Sequence, residues 1–480
     1  MDLLIQNGTI IPCDGKTRTS LKRDLHINGK IIREIRKKID TTGRTFDRII
    51  DAKGKIVIPG LINAHMHSYA NLIKGYSDTI PLELWMLQIS AGGKLFEPED
   101  NYYSALLGAA EMLLSGTTFC TDHLAQSYEN LEAALKAYQE SGMRVALAPM
   151  ISDKDYMETL PLDSSQVPEK YLSTPQPRVA DLLDTTVRLY KKWNNSPDTV
   201  RIFFGPSGPQ RCSDELLKKA YTLAEEYETG FHTHVLESKI QAETGFNFYG
   251  KPLVLHLDAL GVLSPRTALV HSVWLSKEES QVAAERGAVV IHNPASNLRL
   301  GSGTAPVNRF RKQGLRIALG TDGVNCGGSL SMFESMKLAA ILHNPEELDP
   351  DSWIKSLEIL EMATLQGAIA AGMGDKTGSL EEGKYADLVI LNPRYSFNLH
   401  PLQKATDQIV YGETGSSVDT VIINGRIVVE ERRIKTFDET RLFEGVQARA
   451  DTLLKKGLFN TETIDEQISF LREKLWGEKK

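Results

Sequence analysis

KIVIPGLINAHMHSYANLIKG, residues 55–75, is an apolar β-like run, broken at Pro59-Gly60, that ends in two histidines one residue apart. Histidine is scarce in this chain, 11 in 480 residues, so the pairing calls for a reason. In a strand, side chains at i and i+2 project the same way, which puts the imidazoles of His65 and His67 side by side at its end. Seven further short apolar runs follow: TTFCTDH (117–123), RVALAPM (144–150), VRIFFGPSG (200–208), TGFHTHV (229–235), TALVHSV (267–273), AVVIHNP (288–294) and RIALGTDG (316–323). Helical segments lie between them, such as DNYYSALLGAAEMLLSG (100–116) and SKEESQVAAERG (276–287). The second pairs Ser276 with Glu279 as a capping box and stops at Gly287. Eight strands alternating with helices predict an α/β fold, a (β/α)8 TIM barrel. A doubly wound open sheet would carry a glycine fingerprint after its first strand, and none is present.

The two ends of the chain resemble each other. DLHINGKIIREI (24–35) and DTVIINGRIVVEE (419–431) each hold an Asn-Gly pair between β-rich runs, a strong hairpin signal, and a third pair, Asn7-Gly8, follows LLIQ. KYADLVILN (384–392) adds another strand. A small β-sandwich domain assembled from both termini, residues 1–58 and 382–440, is expected beside a barrel of residues 59–381. Residues 441–480 form a helical extension, whose segment LFEGVQARADTLLKKG (442–457) carries a modest apolar face at Leu442, Val446, Leu453 and Leu454. That face would pack on the barrel or on a second subunit.

Composition narrows the function. The chain is 41% hydrophobic and 24% charged with a net charge of −7, and no basic block marks a nucleic-acid partner. No apolar run reaches membrane-span length, and the start lacks the pattern of a signal peptide. Four cysteines stand far apart without a CxxC, which argues against a disulfide framework or a cysteine-built zinc site. A cytoplasmic protein with reduced thiols is expected.

The polar residues fall where the strands end: His65 and His67, Asp122 and His123, His232 and His234 with Glu237, His271, His292, and Asp322. Barrel enzymes keep their chemistry at that face. Imidazoles suit a borderline divalent metal, and His65, His67, His234 and Asp322 make a His3Asp set with room for water, the open arrangement of a catalytic rather than a structural ion.

PGLINAHMH, HTHVLES, LVHSVWLS, HNPASNLRLGSGTAPV and LGTDG together resemble the amidohydrolase superfamily, in the branch of atrazine/triazine hydrolases and S-adenosylhomocysteine, guanine and 8-oxoguanine deaminases. The resemblance runs from about Leu3 to Asn392. It implies one divalent ion, Zn2+ or alternatively Fe2+, on His65, His67, His234 and Asp322. Glu237 matches a proton-shuttling glutamate, and His271 a histidine that acts with Asp322 on the water; His232 matches no ligand and is read as structural. The fourth strand has no lysine to bridge a second ion.

The implied activity is a hydrolase, most simply an aminohydrolase, acting on a C–N or C–halogen carbon of a small N-heterocycle such as a triazine, purine or pterin. Homodimers or larger assemblies are common among such proteins. Two departures rank an adenosine-type deaminase second: Lys94 stands where a ribose-gripping glutamate is expected, and Ser207 where a histidine is expected. Trp85, His123, Ser207, Asn297 and Asn325 are the candidate substrate contacts. A non-catalytic barrel scaffold is the third reading, disfavoured by the intact ligand set.

Overall fold

The break at Pro59-Gly60 is the passage between two sheets. Ile56–Pro59 pairs with Asp2–Ile10 and with Leu388–Leu391; one residue later Leu61–Met66 begins a parallel sheet. Gly60 is required there, because a Cβ at this position would lie 2.0 Å from Thr118 Oγ1. The computed structural model describes residues 1–76, 80–172, 176–196, 198–458 and 462–477.

All eight expected parallel strands form. They are β1 (Leu61–Met66), β2 (Thr117–Leu124), β3 (Arg144–Ile151), β4 (Val200–Ile202, continued by Gly205–Pro206), β5 (Phe231–Val235), β6 (Thr267–His271), β7 (Val289–His292) and β8 (Arg316–Leu319). They make two parallel half-barrels, β1 to β4 and β5 to β8, each in sequence order. At one seam Phe204 bridges Phe231, and His232 N–H donates to Phe204 O at 2.9 Å. At the other, Asp322 N–H donates to His65 O at 3.0 Å and Asn63 Nδ2 donates to Thr321 Oγ1 at 2.7 Å. The first and last strands are thereby tied together beside His65 and Asp322.

Strands from both termini share one nine-stranded sheet. Its order runs Arg433–Ile434, Arg426–Glu430, Val418–Ile423, Leu388–Leu391, Ile56–Pro59, Asp2–Ile10, Leu21–Asn28 and Ile31–Arg36, with Arg48–Asp51 also on Asp2–Ile10. Asn28-Gly29 and Asn424-Gly425 turn hairpins as expected, with Gly29 and Gly425 at φ 60° and 68°. Asn7-Gly8 does not. Asn7, at φ 62°, sits inside Asp2–Ile10 where the register shifts between Ile5 and Gly8, and its N–H goes to Asp24 Oδ1 at 2.8 Å: the pair makes a bulge.

Buried Arg144, at the start of β3, welds this sheet to the half-barrel. Its guanidinium contacts both Asp387 oxygens, Nε at 2.7 Å and Nη2 at 3.1 Å, and packs over the Tyr385 ring.

The C-terminal extension is two helices that pack on the described chain itself. Glu439–Lys455 lies on Pro98–Leu114, with Leu442 and Leu453 buried, Leu454 exposed, and Arg449 paired to Glu97, Glu99 and buried Asp100. Glu462–Trp476 lies on Leu82–Gly93, with Leu471 buried among Leu84, Leu87, Met157 and Leu160. Among the described residues no helix is long and apolar enough to cross a membrane.

Candidate active site

The strand ends converge. His67 Nε2 lies 3.4 Å from His234 Nε2 and 3.3 Å from Asp322 Oδ1, and His65 Nε2 lies 3.6 Å from the same oxygen. The other ring nitrogens fix the tautomers. His67 Nδ1 faces His123 O, and His234 Nδ1 faces Ser207 O at 2.7 Å; a carbonyl only accepts, so both Nδ1 atoms carry the proton. The two Nε2 lone pairs therefore face each other and a carboxylate oxygen, with nothing between them to donate. Buried His65 Nε2 has no partner at hydrogen-bond distance among the described residues. Such a set of converging acceptors repels itself unless a cation sits among them, so these four side chains fit a divalent ion.

Electrostatics agree with that arrangement. Burial pushes the His65 imidazole down to about 3, which keeps its lone pair free. Burial works against ionisation of Asp322, but the contact with His65 and the surrounding imidazoles hold its carboxyl well below the usual range. Ser296 Oγ donates to Asp322 Oδ2 at 2.6 Å and Gly323 N–H to Oδ1 at 2.7 Å, fixing the carboxylate plane. His232, whose sequence role was read as structural, sits behind His65 with its Nε2 2.9 Å from His65 Nδ1. Asp122 accepts from Ser68 N–H and Tyr138 Oη, anchoring the turn after His67.

Glu237 stands beside this cluster. It is buried and its Oε1 has no hydrogen-bond partner among the described residues. Burial first, then the charges of Asp322 and Glu83, push its carboxyl well above the usual range. His271 Nε2 lies 3.6 Å from Glu237 Oε2 and 3.9 Å from Asp322 Oδ2, while its Nδ1–H donates to Asn297 Oδ1 at 2.9 Å. Four non-glycine residues at or just past the strand ends take left-handed backbone: Leu236 at φ 50°, His271 at 71°, Ser272 at 54° and Asp322 at 63°. Strain of that kind, worth about 1–3 kcal/mol per residue, persists where the surroundings dictate a side chain's aim.

Above the cluster is a cavity of about 670 Å3. His67, His234, Glu237, His271 and Asp322 line its floor, and Trp85, Met86, Phe96 and Tyr156 its walls. Two of the expected substrate contacts, Trp85 and Ser207, are on the wall. Three are not among the lining residues. His123 is fully buried behind the ligands, its ring stacked 4.8 Å from His234 and its Nε2 3.1 Å from Gly205 O. Asn297 orients His271 from behind, and Asn325 is buried next to Tyr69. A position at a strand end names the face of the barrel, but the local backbone decides whether a side chain meets the cavity or supports one that does.

Other residues enter the site without having been singled out in the sequence. Ser296 lies inside the HNPASN motif and grips Asp322. Glu83, two residues before Trp85, accepts from Ser238 Oγ on the cavity wall. Arg211, four residues after Ser207, lines the same cavity. Nothing in their spacing distinguishes them from surface residues.

Three imidazoles and a carboxylate at the ends of parallel strands, beside a buried carboxylic side chain, define a metal-dependent hydrolase. The chain belongs to the amidohydrolase family, whose profile matches residues 56–428. It is 34% identical over 459 residues to the 5-methylthioadenosine/S-adenosylhomocysteine deaminase of Syntrophomonas wolfei, spanning 95% of this chain and 100% of that one. It is 33% identical over 457 residues to the 5'-deoxyadenosine deaminase of Methanosarcina mazei, spanning 95% and 99%. Among solved structures, an adenosine deaminase from Xanthomonas campestris with bound zinc superposes with a TM-score of 0.84 at 27% identity over 95% of this chain and 99% of the other. Atrazine chlorohydrolase from Arthrobacter aurescens, complexed with zinc and atraton, gives 0.85 at 25% identity over 93% and 100%. The chain is an enzyme of the hydrolase class acting on carbon–nitrogen bonds.

Proposed function

We propose that this enzyme is a deaminase of an adenosine derivative, replacing the amino group of the purine ring by oxygen with release of ammonia. The observation that carries the reading is buried Glu237 beside the converging acceptors of His67, His234 and Asp322, at the floor of a cavity with an aromatic wall. Lys94 and Ser207 on that wall had ranked nucleosides below other heterocycles; the curated relatives, similar over nearly the whole chain and described as deaminases of adenosine derivatives, support moving them first. A triazine, pterin or other purine, losing ammonia or halide, is the second reading, supported by the likeness to atrazine chlorohydrolase.

His65, His67, His234 and Asp322 would hold one divalent ion, zinc in the first instance and iron as the alternative. When bound, such an ion supplies the Lewis acidity that makes water nucleophilic near neutral pH. The remaining steps belong to the protein. Glu237 gives its proton to the ring nitrogen next to the amino-bearing carbon, then carries a proton from the incoming water to the departing amine. His271, held by its Nδ1–H bond to Asn297, presents Nε2 to Glu237 and Asp322 and steadies the proton between them. Trp85 supplies a flat wall for the heterocycle.

This site is read as part of a (β/α)8 barrel, residues 59–381, carrying a β-sandwich domain of residues 1–58 and 382–440 and a helical extension of residues 441–480, in a cytoplasmic homodimer or larger assembly.

Metal analysis and ammonia release test the reading together. The protein should hold one ion per chain and release ammonia from 5'-methylthioadenosine, S-adenosylhomocysteine or 5'-deoxyadenosine. Full metal occupancy with turnover of triazines or pterins alone would install the second reading. Full occupancy without turnover of either group would end both.

A further inference from the structure

β1 and β8 bring together groups that must meet, His65 and His67 at the end of one and Asp322 just past the other, yet among the described residues no strand ladder joins them. The pairing of β1 with β2 is irregular at the same place: its register shifts between Asn63 and Met66, on either side of His65. Backbone groups that a regular ladder would satisfy are left there to other partners. Asn63 supplies them from its side chain. Its amide is completely buried; Oδ1 accepts the Thr321 N–H at 3.1 Å and the His65 N–H at 3.4 Å, and Nδ2 donates to Thr321 Oγ1 at 2.7 Å. The Thr321 hydroxyl in turn donates to Asp322 O at 3.1 Å. From the other side His65 O accepts the N–H groups of Thr321, at 3.2 Å, and Asp322, at 3.0 Å. The seam is tight, since a Cβ at Gly320 would lie 2.9 Å from His65 O and 3.0 Å from His65 N.

A metal site tolerates deviations of only about 0.2 Å in its ligand distances, so the spacing of the two strands here matters to the ion as well as to the fold. We propose that Asn63 is a positioning residue of the metal site: through Thr321, its amide sets the imidazoles of His65 and His67 against the carboxylate of Asp322. One planar group that accepts from both strands and donates to one of them stands in for the absent ladder. An apolar side chain of the same size would fill the space, but would leave the Thr321 hydroxyl and the His65 N–H without this partner. The assignment rests on the reading of these four side chains as a metal site and is independent of the substrate.

The test reads zinc affinity by chelator competition and ligand geometry by the visible absorption of the cobalt-substituted protein, on full-length chains shown to be folded by circular dichroism. Asn63→Leu should raise the zinc Kd by about 10–100-fold and alter the cobalt bands. Thr321→Val, which removes only the hydroxyl end of the clasp, should raise it about tenfold, whereas Thr321→Ser, which keeps the hydroxyl, should stay within about twofold of the parent. Because both changes break one interaction, the double variant Asn63→Leu/Thr321→Val should bind zinc no more weakly than Asn63→Leu alone. Asp387→Ala, which opens a buried polar pair remote from the site, is the control: it should lose stability in urea with zinc affinity and cobalt bands unchanged. A purely structural Asn63 would behave like that control, and an unchanged zinc Kd in Asn63→Leu would overturn the assignment. So would losses that multiply in the double variant, or a Thr321→Ser as weak as Thr321→Val. Should Asn63→Leu fail to fold, the Thr321→Val and Thr321→Ser pair decides by the same measurements. A parent that holds no ion would overturn this assignment together with the metal reading, while a parent that binds zinc beside variants that bind it equally well would overturn the assignment alone.

Discussion

Glu237 and the imidazoles divide the labour of the site. Burial raises the Glu237 carboxyl above the range of exposed glutamates and lowers the His65 and His234 imidazoles, while His67 and His234 turn Nδ1 to backbone carbonyls and Nε2 inward. Glu237→Gln preserves shape and removes the transferable proton. It should retain stoichiometric zinc while kcat falls by about 10²–10⁴-fold, the usual span of general acid–base help; normal turnover in that variant would take the proton shuttle away from Glu237. His67→Ala removes one of the facing acceptors and should lose the ion, as read by metal analysis after desalting. His232→Ala is a subtler change, because His232 only orients His65. Zinc affinity should drop by about 10–100-fold, measured by chelator competition, with the ion still bound at saturation. The convergence of His65, His67, His234 and Asp322 was legible in the sequence because the i, i+2 pair and the strand ends follow from period and topology alone. His123, Asn297 and Asn325 were misplaced because a single side chain's aim depends on φ and ψ at one residue, as the left-handed backbone of His271 and Asp322 illustrates.

The helix Leu82–Gly93 forms a wall of the cavity on one face and meets Glu462–Trp476 on the other. Leu471 is buried between them, and the Lys170–Glu466 pair and the Tyr171–Phe470 ring contact brace the same helix from the side. A chain ended at Leu458 would lose this backing and leave Leu84 and Leu87 facing water. KM should rise several-fold with zinc content unchanged, and amide exchange should quicken in residues 82–93 while β1 to β8 stay protected. Unchanged exchange there would show that the helix holds its place without the extension. Elements of this kind were only half legible. The eight strands stood out by length and β-rich composition, and the hairpins at Asn28-Gly29 and Asn424-Gly425 by turn chemistry. Asn7-Gly8 carries the same turn chemistry, yet its flanking residues pair continuously with Leu21–Asn28 and the pair is absorbed as a bulge. The partner of the C-terminal helices lay hundreds of residues away, beyond the reach of any local pattern.

Across the whole molecule, stability depends on polar groups buried far from the cavity. Arg144 and Asp387 join a strand of the half-barrel to the sheet built from both termini, and both side chains are almost completely enclosed. Asp387→Ala leaves the guanidinium unpaired and should cost about 3–5 kcal/mol in urea unfolding, with the zinc site intact in the folded fraction. Acid acts through a different pair. His292 and His343 are buried with ring centroids 5.4 Å apart, and none of their four nitrogens has a hydrogen-bond partner among the described residues. Burial, then the charge of Arg311, pushes His343 down to about 4, and burial, then His343 and His271, pushes His292 well below the usual imidazole range. An unfolded histidine titrates near 6.5. Between about 6.5 and 4 the unfolded chain therefore binds a proton that native His343 refuses, and stability falls as the pH falls through that window. Below about 4 the native state takes the proton too and this contribution stops changing. The slope from one such group approaches about 1.4 kcal/mol per pH unit. His343→Leu removes the group and also the charge that would repel a proton on His292. Its stability, measured by urea unfolding from pH 7.5 to 4.5, should fall less steeply than the parent's below pH 6.5 by up to that amount, the two curves running parallel above it. Parallel curves across the entire range would mean that His343 is protonated equally in both states, and that the acid sensitivity of the fold originates elsewhere.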